Sequence, residues 1–253
     1  MAKIIALANQ KGGVGKTTSA VNIAASVGLL GKRVLLVDFD PQGNATSGVG
    51  INKKNVRNSS YEVVIGQADS EHSVIKTQFE NLWAIPSKIS LAGAEFDLYN
   101  LENREYRLKD QLIPLSDQFD YIFIDCPPSL GMLTINALTA ADGIIIPMQC
   151  EYYALEGLSQ LMHTIRRIKQ LYNRELEIVG ILITMYNGRL ILSSQVIAEL
   201  KKYYADKLFP TTISRNIKLT EAPGFGTPVF YHDKFSKGAN EYYKVAEELL
   251  ERI

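Results

Sequence analysis

The chain has 253 residues, of which 46% are hydrophobic, and its 27 basic residues are balanced by 27 acidic ones. A formal net charge of zero excludes a strongly basic nucleic-acid-binding protein, so contact with DNA requires a local patch or one completed by dimerisation. No apolar run reaches the roughly 18 residues that span a bilayer, and no signal-peptide pattern is present. We therefore expect a cytoplasmic protein, in which Cys126 and Cys150 stay reduced and serve in core packing.

Short apolar runs alternate with segments of helical periodicity along the chain. The predicted strands are 4–8, 33–37, 82–86, 121–125, 143–148 and 177–185. The predicted helices are 19–30, 61–66, 71–77, 103–115, 149–171, 189–204 and 236–253. Residues 43–60 are predicted to be a long loop. Because nothing marks a linker, residues 1–253 are expected to form a single domain.

A glycine-rich segment separates the first predicted strand from the first predicted helix. Residues 9–18 read NQKGGVGKTT. Glycines lack a Cβ, so the backbone can curl and aim its N–H groups at a phosphate, whereas the alternative is an ordinary tight turn. Lys16 can place a cation on the outer phosphates, and Thr17 can offer its hydroxyl to Mg²⁺. The residues predicted to bind a nucleotide in this loop are Lys11, Gly12, Gly13, Val14, Gly15, Lys16, Thr17 and Thr18.

Acidic residues end two further apolar strands. Asp38 and Asp40 follow the strand 33–37, at the carboxyl end where open α/β sheets bind ligands. The alternative is that they only cap the next turn. Asp125 ends the run 121–125, which has the form of a Walker B strand, whose carboxylate orients Mg²⁺ and its waters.

The phosphate loop departs from the common pattern, which has glycine where this chain has Gln10, and it adds a second lysine, Lys11. With the segments 38–44, 126–131 and 221–223, it resembles the deviant-Walker P-loop ATPases, the group of ParA, MinD and the nitrogenase iron protein. The similarity covers nearly the whole chain and is greatest to the ParA/Soj partition ATPases. It implies an α/β fold with a doubly wound, mainly parallel sheet and helices on both faces.

The resemblance also implies catalytic roles. Asp40 would activate the attacking water, and Asp38 would help to hold Mg²⁺ through water, together with Thr17 and Asp125. Lys11 would reach across a dimer interface to the partner's nucleotide and act with Lys16 on the developing charge.

By the same resemblance, Met185, Asn216 and Pro223 would lie near the adenine of the nucleotide. The family's usual Pro-Arg-Asn reads Ser214-Arg215-Asn216 here. The base pocket is therefore the part of the site in which this chain departs from the family.

Two basic residues are implied to contact DNA phosphates, namely Arg189 and Lys218. The arginine is retained from the family's Arg-Thr-Asn-Leu, although its neighbours are not. Lys218 falls where the family often has a second arginine, and its alternative interpretation is a solvated loop lysine.

The function implied is an ATPase that dimerises with ATP and Mg²⁺, binds double-stranded DNA non-specifically and drives chromosome or plasmid segregation with a ParB-type protein. Such a protein would be cytoplasmic and associated with the nucleoid. The alternative is a membrane-associated positioning ATPase of the MinD type. The final predicted helix argues against that alternative, because Glu247, Glu248 and Glu251 make its outer face acidic and repel anionic lipid.

Overall fold

The computed structural model describes residues 1–253, and seven strands form its one sheet. They are β1 (Lys3–Leu7), β2 (Val34–Asp38), β3 (Ile75–Lys76), β4 (Leu82–Ile85), β5 (Tyr121–Asp125), β6 (Gly143–Gln149) and β7 (Glu177–Thr184). Their order is β3-β4-β2-β5-β1-β6-β7, and every neighbouring pair is parallel except β3 and β4. The carboxyl ends of six strands therefore meet at one edge of the sheet.

Helices cover both faces of this sheet. They are α1 (Lys16–Leu29), α2 (Asn44–Gly48), α3 (Ser60–Ile65), α4 (Ala94–Asp97), α5 (Arg107–Leu112), α6 (Met132–Ala140), α7 (Ala154–Leu171), α8 (Ile191–Tyr204), α9 (Ile217–Glu221), α10 (Val229–His232) and α11 (Lys237–Arg252). Successive side chains of a strand point to opposite faces, and β1 sends Ala6 into one hydrophobic core and Ile5 and Leu7 into another. The predicted doubly wound, mainly parallel α/β fold is confirmed.

The second core forms where α11 packs on α1. Tyr242, Val245, Ala246 and Leu249 of α11 are fully buried there. The apolar face of α11 is thus covered by the protein itself. None of the helices combines the length and the apolar character that crossing a bilayer requires.

Several elements of the structure differ from the predicted ones. The predicted helix 71–77 is wrong. A short 3₁₀ turn, Glu71–Ser73, is followed there by β3, which pairs with β4. The β-branched Ile75 favours a strand at this position. The predicted loop 43–60 contains α2, which is too short to show an apolar period. The sequence analysis also missed α6, which is buried over most of its surface.

Helix starts differ by a few residues for local reasons. α1 begins at Lys16, earlier than predicted, because Gly15 at φ 82° ends the loop there. α7 begins at Ala154 and α8 at Ile191, later than predicted. The predicted helix 103–115 is reduced to α5 and a following 3₁₀ turn.

Both cysteines are free thiols. Cys126 is fully buried and Cys150 is partly buried, each packed against the first hydrophobic core. Burial raises the pKa of the Cys150 thiol to about 11, so it stays protonated at neutral pH.

Candidate functional site

The glycine-rich loop joins β1 to α1 at the carboxyl edge of the sheet. Gly13 and Gly15 have φ values of 73° and 82°, in the left-handed region where a side chain would be strained. No side chain caps the first turn of α1, so its free N–H groups face outward from the helix. A helix N-terminus of this kind is suited to an anionic group such as a phosphate.

Side chains from the ends of neighbouring strands fix this loop. Thr184 Oγ1 donates to the carbonyl of Val14 at 2.7 Å, and Gln149 Nε2 donates to the carbonyl of Gly13 at 2.7 Å. The sequence analysis missed both residues. Their only signal was a polar residue at the end of an apolar strand. The loop is therefore shaped by β6 and β7 as well as by its own glycines.

Lys16 lies under the loop and is almost fully buried. Its Nζ donates to the carbonyl of Lys11 at 3.1 Å. Burial lowers the pKa of Lys16, while the nearby carboxylates of Asp125 and Asp40 oppose that shift. The loop thus holds a largely desolvated cation beside two acidic groups, and such a cation interacts strongly with an incoming anion.

Asp38 and Asp125 lie side by side at the ends of adjacent strands, because the β2–β5 register pairs them. Asp38 Oδ2 accepts hydrogen bonds from Thr46 N at 2.7 Å and from Thr46 Oγ1 at 2.6 Å. Burial raises the pKa of Asp38, and burial together with the charge of Asp38 raises the pKa of Asp125 well above its usual range. Two buried carboxylates side by side call for a compensating cation.

Asp125 is the carboxylate that lacks partners. Both of its oxygens are buried without a hydrogen bond of normal geometry, although the Thr17 hydroxyl is near enough to lower its pKa somewhat. No group of three or more His, Cys, Asp or Glu side chains forms a metal cage. This arrangement fits Mg²⁺, which keeps several waters and uses one or two carboxylates with phosphate oxygens rather than an all-protein cage.

Asp40 is buried two residues beyond Asp38. Its Oδ1 accepts a hydrogen bond from Gln42 N at 2.9 Å, so the carboxylate does cap the turn that follows. Its Oδ2 makes no hydrogen bond. One oxygen therefore positions the side chain and the other remains available to a ligand or a water.

A cavity of about 310 Å³ opens beside the start of α1. It is lined by Thr18, Met185, Asn216 and Tyr242, among others. Met185 has a φ of 50°, which is rare for a residue other than glycine and recurs at ligand sites. The structure thus places Met185 and Asn216 in the lining of one cavity. It places Pro223 elsewhere, in a neighbouring cavity with Thr17, Thr18 and Asn44.

Lys11 points away from its own loop. It forms an ion pair with Glu151, which follows β6, and both side chains are about half exposed. Its backbone N–H donates to Asn9 Oδ1 at 3.0 Å. The loop therefore presents Lys16 inward and Lys11 outward.

The two predicted DNA-contacting residues have different surroundings. Arg189 is exposed in the turn before α8, and its guanidinium forms no hydrogen bond or ion pair. Lys218 lies in α9, and its ammonium pairs with Glu221 at 3.0 Å, which raises the pKa of Lys218. Arg189 is thus available to an external anion, whereas Lys218 is engaged within the chain.

Comparison with known proteins extends this description. A family model described as an AAA domain matches residues 2–178. The sporulation initiation inhibitor protein Soj of Bacillus subtilis is 53% identical, with 98% of each chain covered. The chromosome partitioning protein ParA of Myxococcus xanthus is 48% identical, with 99% of this chain and 88% of that protein covered.

A solved structure also resembles this one over its full length. The cobyrinic acid a,c-diamide synthase of Mycobacterium smegmatis, with a bound ATP analogue and magnesium, has a TM-score of 0.86 and 38% identity, and 99% of this chain and 95% of that one are covered. The structural match supports the fold, and the family assignment rests on the identity of 53% to Soj and 48% to ParA over nearly the whole chain. The chain belongs to the ParA/Soj family of P-loop ATPases that partition chromosomes.

Proposed function

We propose that the chain binds ATP with Mg²⁺, dimerises in that state, binds double-stranded DNA without sequence preference, and hydrolyses ATP to drive segregation of a chromosome or plasmid. One observation carries the proposal. A phosphate loop with a buried lysine, Lys16, and an outward lysine, Lys11, lies where Asp38, Asp40 and Asp125 converge. We further propose that residues 1–253 act as one ATPase domain and that the protein is cytoplasmic and associated with the nucleoid.

The triphosphate would bind to the amide groups of the loop and to Lys16. Thr17 and Asp125 would hold Mg²⁺, with Asp38 contributing through water, and the bound ion would neutralise charge on the outer phosphates. Asp38 is better suited to an indirect role, because its Oδ2 already accepts two hydrogen bonds from Thr46. The adenine would enter the cavity lined by Met185.

Asp40 is the residue suited to orienting the attacking water. Its free Oδ2 can accept a hydrogen bond from that water while Oδ1 stays fixed by Gln42. Proximity and electrostatic stabilisation supply most of the rate in phosphoryl transfer, so the fixed carboxylate and the two lysines carry the chemistry.

Lys11 would act on the nucleotide of a second subunit. Its ion pair with Glu151 must open for this to happen, since the ammonium is held by its own chain in the single subunit. An exposed pair is worth at most about 1 kcal/mol, so contacts in the dimer can readily replace it.

DNA would be bound through its phosphates. Arg189 offers an unpaired guanidinium, and Lys218 would exchange Glu221 for a phosphate. Because the chain has no net charge, the basic residues of two subunits together would form the DNA-binding patch. A ParB-type protein that stimulates hydrolysis is the proposed partner.

The deciding experiment measures binding to duplex DNA of unrelated sequences with ATP, with ADP and without nucleotide, over a series of salt concentrations. We expect binding with ATP only, equal for all sequences, and a linear fall of log affinity with log salt. Lys16→Ala serves as the control that cannot hold the triphosphate. Equal binding in all three nucleotide states would contradict the proposal.

A further inference from the structure

One wall of the base cavity is formed by the end of a segment that is only partly paired with the sheet. Residues 208–216 follow α8 and run beside β7. Their backbone hydrogen bonds to that strand end at Ile213, which donates to the carbonyl of Ile183 at 2.8 Å and accepts from Tyr186 N at 2.8 Å. Asn216, which lines the cavity, lies just beyond Ile213. Contacts other than strand pairing must therefore help to fix Ser214 and Asn216.

Glu241 of α11 supplies that support. Its Oε2 accepts a hydrogen bond from Ser214 N at 2.8 Å, and its Oε1 accepts one from Ser214 Oγ at 2.7 Å. The side chain is only 13% exposed, so the two hydrogen bonds are largely shielded from water. Lys237 Nζ lies 3.6 Å from Oε1 of the same carboxylate.

The next residue of α11 fixes another part of the cavity lining. Tyr242 is fully buried, lines the same cavity and forms a hydrogen bond at 3.0 Å between its hydroxyl and Ser19 Oγ of α1. Two consecutive residues of one helix thus form hydrogen bonds that fix two parts of the cavity lining. The phosphate loop, by contrast, is held by Thr184 and Gln149 and makes no contact with Glu241.

We infer that Glu241 is a positioning residue for the base of the nucleotide, acting through Ser214 to hold the cavity wall that contains Asn216. The inference rests on the proposed function, in which this cavity receives the adenine. The site would then have two parts. The wall that is hydrogen-bonded to Glu241 would contact the base, and the glycine-rich loop would contact the phosphates. Loss of the hydrogen bonds between Ser214 and Glu241 should weaken the binding only of ligands that carry a base.

The test compares three ligands by calorimetry: ATP, ADP and tripolyphosphate, each with Mg²⁺. Glu241→Ala should weaken ATP and ADP by a similar factor of about ten, the size expected for losing two charge-assisted hydrogen bonds. The affinity for tripolyphosphate should stay unchanged. Glu241→Gln keeps one carbonyl oxygen as an acceptor and should recover part of the loss.

Glu247→Ala is the matched control, since Glu247 is exposed on the same helix and makes no hydrogen bond or ion pair. If Glu241→Ala fails to fold, Ser214→Ala removes one of the same two hydrogen bonds from the other side and should weaken ATP and ADP without affecting tripolyphosphate. An equal loss for all three ligands, or unchanged ATP affinity in the folded variants, would overturn the inference. Wild-type protein that binds neither ATP nor tripolyphosphate would overturn the proposed function instead.

Discussion

At the scale of single residues, the unpartnered Asp125 carboxylate gives the clearest prediction. Replacing it by asparagine removes one of two adjacent buried charges, and we expect the metal-free protein to become more stable by about 1–3 kcal/mol at pH 7. The same change should weaken Mg²⁺-dependent ATP binding by about 10–100-fold. Urea unfolding without metal and nucleotide titration with Mg²⁺ measure the two effects.

The pH dependence of the same variant checks the cause. The pKa of Asp125 is raised in the folded protein, so the folded state binds the proton more tightly than the unfolded chain does. The metal-free wild type should therefore gain stability relative to Asp125→Asn as the pH falls from 7 towards 5. A constant difference between the two proteins over that range would contradict a buried, unpaired carboxylate.

Asp40 differs from Asp125, because we expect its replacement to affect the hydrolysis reaction rather than the stability of the protein. Asp40→Ala should retain ATP and accumulate ATP-bound dimers, while hydrolysis falls at least about 100-fold, as for loss of a positioned proton acceptor. Phosphate release and analytical ultracentrifugation give the two readouts. Full turnover in this variant would remove Asp40 from the mechanism.

At the scale of elements, one polar residue of α2, Thr46, connects this helix to the end of β2. Thr46 donates two hydrogen bonds to Asp38 and accepts one from Ser87 N at 2.8 Å. Thr46→Val keeps the backbone hydrogen bond to Asp38 but removes the one from the hydroxyl and leaves the buried Ser87 N–H without an acceptor, which should cost about 1–3 kcal/mol of stability. Thr46→Ser keeps the hydroxyl and should lose less. Chemical denaturation of both variants compares them, and a smaller loss for Thr46→Val than for Thr46→Ser would mean that the methyl group, not the hydroxyl, matters.

The same elements show why the sequence predicts part of the site well. The glycines, Lys16 and the aspartates that end β2 and β5 are local signals, since each depends on a few neighbouring residues. Thr184 and Val14 are 170 residues apart, and their contact exists only after β7 joins the sheet. Glu241 meets Ser214 only because α11 folds back onto α1. A single sequence records no trace of these long-range contacts.

At the scale of the whole molecule, the net charge is zero, so DNA binding must depend on a few exposed basic residues. Arg189→Glu should reduce DNA affinity at least about tenfold and lower the salt dependence by about one counterion per site, while ATP-dependent dimers persist. Lys218→Ala should have a smaller effect, because Glu221 competes for its ammonium. Electrophoretic mobility shifts over a salt series measure both. Unchanged affinity for Arg189→Glu would move the interface to another face.

The exposed ion pair between Lys11 and Glu151 implies that ionic strength acts on successive steps in opposite directions. Dissolved ions screen such a pair and so free Lys11 for a neighbouring subunit. The same ions compete with basic side chains for the nucleic acid backbone. At protein concentrations that leave the subunits partly monomeric, an intermediate salinity would then give the greatest DNA occupancy, whereas fully dimeric protein would show only the fall in affinity with salt.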